Sequence, residues 1–328
     1  MKSILRAAFI ATALLSASAA GAQSQSGGTP DGNYPNRPVK ILLPFPPGGV
    51  ADVVGRLLAQ KLSENTGQNF FVENRGGAAG NIGAAMVQGT APDGYTILLT
   101  SSSFLINPGL QKVPYDPVGG FEPITIISAS PSILAVHPGQ PITSVKDLIE
   151  LVKKEPGKHS YASAGVGSTP HLQGEMFKQA YGLDMVHVPF AGGGPALQSA
   201  VGGHTPIVFA ALPPAIPLVK GGSLRALAIV GPKRTSELPD VPTMTEAGLP
   251  GQEAETILLA LAPAGTPKPI VDMLQREIVK AVQNPEVVQK LDAFGFSPLG
   301  TTPAEAKARI GAELDMWAKV IKDAKIQQ

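Results

Sequence analysis

The chain reads as an α/β protein of two domains with mostly parallel sheets. Three observations predict this. Short apolar runs alternate with segments of helical periodicity along the chain. Gly-rich turns stand where a strand-like run passes into a helix-like one, at 45–49, 163–169 and 189–195. Two longer apolar runs, 124–136 and 257–262, bracket an inner α/β unit. With 328 residues the chain is also longer than one hydrophobic core usually serves.

In order, a buried strand is expected over 39–44 and a helix over 51–66, whose apolar face is Val54, Leu57, Leu58 and Leu62. A strand over 69–73 and a short helix over 81–88 follow. The turn Pro92-Asp93-Gly94 then leads into a strand over 96–100. The inner unit holds helices over 144–154, 170–181, 195–201 and 214–220, with strands over 161–164, 185–188, 207–209 and 224–229. Ser144 is a plausible N-cap and Asp147 suits the first turn after it. After the second long run come helices over 268–282, 286–294 and 303–326, the last anchored by Trp317. The two long runs are read as crossings between a first domain, 36–131 plus 255–328, and an inserted second domain, 132–254. Two crossings make a hinge with a cleft beside it.

The N-terminus reads as a secretory leader. Lys2 and Arg6 precede an apolar run over 7–15, and Ala20-Gly21-Ala22 fits a small-x-small cleavage site. The run falls short of the roughly 20 apolar residues that span a bilayer. Residues 1–22 are therefore a signal peptide cleaved after Ala22, 23–35 a loose tail, and the expected compartment is a bacterial periplasm. The chain has no cysteine, which excludes disulfides, thiolate metal sites and cysteine nucleophiles. A formal net charge of +1 and 5% aromatic residues give no reason to expect nucleic acid or direct membrane insertion.

Candidate binding residues sit on the Gly-rich turns. Phe45-Pro46-Pro47-Gly48-Gly49, with Asp52 just inside the helix, lets main-chain N–H groups approach an anion where the helix dipole favours one. Ser163, Gly165, Gly167, Ser168, Thr169 and His171 repeat the pattern in the second domain, with Ser168 or Thr169 as cap. His171 is either a donor to a carboxylate or a structural histidine. Phe190, Gly192 and Gly193 belong to the third turn, and Ser102 to a run of hydroxyls after a strand. Ligands in open α/β sheets bind at this edge. No GxSxG, HExxH, EF-hand or Walker sequence is present, so no metal and no cofactor are expected and the chain is not read as an enzyme. Ser168 with His171 would make a hydrolase pair lacking a third member.

The chain resembles the Bug family, the solute receptors of tripartite tricarboxylate transporters. The resemblance runs from about Tyr34 to Ile326. It is carried by Tyr34-Pro35, by Phe45-Pro46-Pro47-Gly48-Gly49 with Asp52, and by Val72-Glu73-Asn74-Arg75-Gly76-Gly77. Further along are Ala91-Pro92-Asp93-Gly94-Tyr95-Thr96, Gly165-Val166-Gly167-Ser168 with His171, Val188-Pro189-Phe190, Leu238-Pro239-Asp240-Val241-Pro242-Thr243 and Ala262-Pro263-Ala264-Gly265-Thr266-Pro267. It implies a type II periplasmic-binding-protein Venus flytrap with two crossover strands. It also implies a small carboxylate (mono- or dicarboxylate) held between the lobes, and a membrane transporter of the tripartite type as partner; a monomer is expected. Many relatives carry a basic residue at the position of Ala191, an acidic one near Gln198-Ser199, and Trp-x-Gly where this chain has Ile257-Leu258-Leu259, departures that leave this cleft less charged. The competing reading is a ligand-sensing input protein for a two-component system.

Overall fold

The computed structural model describes residues 34–326. The expected leader at 1–22 and the tail residues 23–33 lie outside the described residues.

The first lobe begins with β1 (Val39–Leu43), α1 (Val50–Thr66), β2 (Phe70–Asn74), α2 (Asn81–Gln88), β3 (Thr96–Ser101) and α3 (Ser103–Leu110). Next is β4 (Phe121–Val136), 16 residues and nearly all buried. A strand buried on both faces needs no polar alternation, which is why its sequence reads as one apolar run. The second lobe follows with α4 (Val145–Lys154), β5 (His159–Ser163), α5 (Thr169–Tyr181), β6 (Met185–Pro189), α6 (Gly193–Val201), β7 (Ile207–Ala211), α7 (Leu212–Lys220) and β8 (Arg225–Val230). β9 (Glu255–Pro263), α8 (Lys268–Val282), α9 (Pro285–Ala293), the two-residue β10 (Ser297–Pro298) and α10 (Pro303–Asp323) complete the first lobe.

β4 belongs to two sheets. Phe121 through Pro131 face β9, and Ser132 through Val136 face β7 on one side and β8 on the other. The first sheet runs β2-β1-β3-β9-β4 and the second β6-β5-β7-β4-β8. Each sheet has an apolar cluster on both faces. In the first lobe Leu43, Leu58 and Leu274 pack on one face, and Leu98, Phe104 and Trp317 on the other. In the second, Val152, Phe177 and Phe209 oppose Ile133, Leu197 and Ala215.

Strand direction determines where the turns point. β9 runs antiparallel to both β3 and β4, so β1, β2 and β3 run parallel to β4, toward the second lobe. β7 is antiparallel to β4, and β5 and β6 run with β7, toward the first lobe. The C-terminal strand ends of the two lobes therefore point at each other across the crossing.

Capping fixes several helix starts. Ser144 and Asp147 form a reciprocal capping box on α4, as do Thr302 and Glu305 on α10. Trp317 is fully buried beneath the first sheet.

Several features differ from the sequence reading, among them β4, which begins at Phe121 rather than 124, and α7, which begins at Leu212 rather than 214. α3 was not expected, because the serines at its start read only as a run of hydroxyls after a strand, lining a cleft or forming a turn. α6 starts at Gly193, two residues earlier than expected. α10 ends at Asp323 rather than 326. The run 257–262 lies just past the crossing, where Glu255 faces Pro131.

Candidate ligand-binding cleft

In the first lobe the turn at 45–49 links β1 to α1. Pro46 to Gly49 are exposed, and a Cβ added at Gly48 or Gly49 would meet nothing within 4 Å. Asp52 holds this turn. Its Oδ2 accepts from the Gly48 amide at 3.0 Å and from Arg56 Nε at 3.1 Å, and its Oδ1 from Asn74 Nδ2 at 2.9 Å. Asn74 Nδ2 also donates to the Phe45 carbonyl at 3.2 Å. Burial alone would raise the Asp52 carboxyl, but the hydrogen bonds from Arg56, Gly48 and Asn74 outweigh it and hold the group below its ordinary range. The Asp52 carboxylate is thus engaged from within its own lobe. What the turn leaves open are the amides of Gly49, Val50 and Ala51, which have no acceptor among the described residues.

The second-lobe turn at 163–168 is mostly closed on itself. Ser168 Oγ donates to the Gly165 carbonyl at 2.7 Å and accepts from the His171 amide at 3.3 Å. The Gly167 amide donates to His171 Nδ1 at 3.1 Å, and the Gly165 amide to Ser163 Oγ at 3.3 Å. Thr169, the first residue of α5, is buried, and its amide and that of Val166 have no acceptor among the described residues. Ser163 Oγ lies 2.7 Å from His187 Nε2, and the rings of His171 and His187 stack with centroids 3.9 Å apart. Burial pushes His171 down to about 4, with the nearby Lys178 charge adding to it. His187 falls to about 4 through burial, then through His171. Both imidazoles are neutral near pH 7. The Gly167 bond and the ring stacking tie both imidazoles into the loop, and the Ser168 hydroxyl is turned to Gly165 rather than paired with His171.

The third turn is the more open one. α6 starts on Gly193 with no side-chain cap, and space is free around Gly192, Gly193 and Gly194. Gly192 takes φ 116°, a conformation that side chains rarely adopt. The amides of Gly193 and Gly194 have no acceptor among the described residues. Phe190 is half-buried, and its carbonyl would lie 3.1 Å from a Cβ at Gly165, so the two second-lobe turns adjoin. Ser102 is buried between strands. Its Oγ accepts from the Ile257 amide at 2.9 Å and its amide donates to the Ile257 carbonyl, extending the β3–β9 ladder.

Residues 75–81, whose glycines the sequence leaves between tight packing and the ligand with packing favoured, flank the first turn. A Cβ at Gly76 would lie 3.5 Å from Pro46, and one at Gly80 3.7 Å from the Phe45 ring. The signal in the sequence was its second glycine cluster. A depression of about 470 Å³ between the start of α4, β8 and 240–247 contains none of the candidates. Its Thr143, Ser144 and Glu246 are bonded within their own turns.

A family model described as the tripartite tricarboxylate transporter family receptor matches residues 54–326. The chain belongs to this receptor family. BugT of Bordetella pertussis (strain Tohama I) is 36% identical over 293 residues, 88% of this chain and 90% of its own length. A solved structure described as a periplasmic transporter is 40% identical with a TM-score of 0.72, covering 90% of this chain and 99% of its own. An R. palustris protein solved with adipate is 35% identical with a TM-score of 0.72, covering 90% of this chain and all of its own. The receptor family is one of periplasmic solute-binding proteins, not of enzymes. Among the described residues, no helix is long and apolar enough to cross a membrane.

Proposed function

We propose that this receptor captures a small carboxylate between its lobes in the periplasm and presents it to a tripartite membrane transporter. The lobes correspond to 36–131 plus 255–328 and to 132–254, and the leader is removed after Ala22. The observation that carries the reading is the pair of uncapped helix starts, α1 and α6, on strand ends that point at each other. Each start offers free amides and the positive end of a helix dipole, and closure would bring both to one anion in a site with less water. The ligand then favours the closed form by its differential affinity for it. The adipate-bound relative supports a carboxylate ligand.

Gly49→Asp tests this. Gly49 is the N-cap of α1, with extended backbone at φ −78° and open space around it. Aspartate there caps its own helix and fills the anion position, so the fold is retained while the ligand is displaced. A thermal-shift screen of the wild type against a carboxylate library identifies a binder, and calorimetry on the variant is expected to register at least about a hundredfold loss. Unaltered affinity would remove the α1 turn from the site.

A further inference from the structure

We infer that the cleft selects a monocarboxylate with an apolar body over a dicarboxylate. This rests on the receptor reading above and narrows its ligand.

The first observation is charge. At the facing strand ends, residues 44–49, 76–82, 101–103, 163–171, 189–195 and 211–214 contain one ionisable side chain, His171, and the turn after the outermost strand β8 adds Lys233 and Arg234, of which Arg234 is bonded to Glu246 and to the Pro239 carbonyl. His171 is held neutral by burial and its Nδ1 is occupied by the Gly167 amide. Two charged groups bordering these segments, Arg56 and Arg75, are already paired. Arg56 lies on Asp52 at 3.0 Å, and Arg75 on Glu73 at 2.6 Å. No lysine or arginine lies on the three Gly-rich turns at 45–49, 163–171 and 189–195, where the open amides are.

The second observation is how much positive potential remains. A helix start carries roughly half an elementary charge. The uncapped starts of α1 and α6 together match about one negative charge, and both can be used on a single carboxylate, whose two oxygens offer about four acceptor sites. The α5 start has much of its donor set turned inward, to Ser168, His171 and Ser163. A second carboxylate brought into the closed cleft would lose its hydration without a matching counter-charge.

The third observation is the character of the walls. Among the described residues few large apolar side chains are exposed, and two of them are Ile82, in the first turn of α2, at 49% and Val166, on the second-lobe turn, at 44%. Phe45 and Phe190 are half-buried, each on a turn with free amides. Apolar side chains exposed in a cleft are covered at a gain when the ligand brings its own apolar surface.

The test is calorimetry on the mature chain with pairs matched in length: hexanoate against adipate, and benzoate against terephthalate. The monocarboxylate of at least one pair is expected to bind at least about tenfold tighter than its partner. Equal or tighter binding of the dicarboxylates would overturn the class while leaving the receptor in place. Ala191→Arg then adds a cation beside Gly192, at an exposed position. It is expected to shift the ratio toward the dicarboxylate by about tenfold, and an unmoved ratio counts against the charge argument. If no monocarboxylate from acetate to octanoate, no dicarboxylate from malonate to suberate and neither aromatic acid binds, the receptor reading falls and this inference with it.

Discussion

Removing the Asp52 carboxylate should loosen the first-lobe turn and weaken the fold together. Asp52 is 5% exposed and accepts from three partners, the Gly48 amide, Arg56 and Asn74. Asp52→Ala leaves the Gly48 amide and Arg56 Nε without this acceptor and Asn74 Nδ2 with the Phe45 carbonyl alone. A hydrogen bond to a charged group contributes about 1.5–3 kcal/mol. Gly48 is exposed and the Arg56 side chain is 53% exposed, so water replaces part of what is lost there. The Asn74 bond lies deeper and is not so easily replaced. The expected loss is about 2–4 kcal/mol, well under the sum of the separate bonds. In urea denaturation the midpoint falls while the slope is unchanged. Calorimetry with any ligand found in the library screen should show weaker binding as well, because Asp52 and Asn74 set the positions of Gly48 and Phe45. Asp52→Asn keeps the shape and part of the acceptor set and should lie between. A variant with wild-type midpoint and wild-type affinity would refute the claim that Asp52 organises this turn.

Three further outcomes are expected. In their folded environment His171 and His187 titrate near 4, against an ordinary value of 6.5. Their contribution to stability is complete above pH 6.5 and is lost progressively as pH falls toward 4. Thermal melts across that window should show the decline, and His187→Asn should flatten it; a decline of the same size in that variant would assign the effect elsewhere. Gly174→Ala places a Cβ 2.3 Å from the ring of Tyr161, which is fully buried and cannot retreat, at a cost of about 1–3 kcal/mol in urea denaturation. Gly295 has φ 68°, and an added Cβ would lie 1.6 Å from Pro213 Cγ on α7 of the other lobe. Gly295→Ala should therefore lower the melting temperature through a strain of about 1–2 kcal/mol, and small-angle scattering should register lobes set further apart. A wild-type melting temperature with an unchanged radius of gyration would refute this contact.

Much of the fold was legible because the elements follow local rules. α2 and α8 fall on the expected residues, bounded by Gly80 and Gly89 and by Pro267 and Gln283. The alternation of runs predicts two sheets, since helices cover both faces of each. α3 was hidden because Phe104, Leu105 and Ile106 are consecutive rather than periodic, and Pro108 interrupts the pattern. The three Gly-rich turns were legible as candidates, but not which of them keeps its donors free. That depends on side chains distant in sequence, such as Asn74 reaching Asp52 and His187 reaching Ser163. Ser102 illustrates the same limit. Its hydroxyl appears available in the sequence, and only the β9 partner Ile257 reveals that its oxygen is engaged.

The open donors at the α1 and α6 starts belong to the polypeptide itself. Only replacement by proline can delete a main-chain N–H. Any other substitution at Gly49, Gly193 or Gly194 reshapes or fills the space around the donor but leaves the donor in the chain. A protein that recognises its cargo this way can exchange neighbouring residues, and so change which molecular bodies it admits, without having to reinvent the grip.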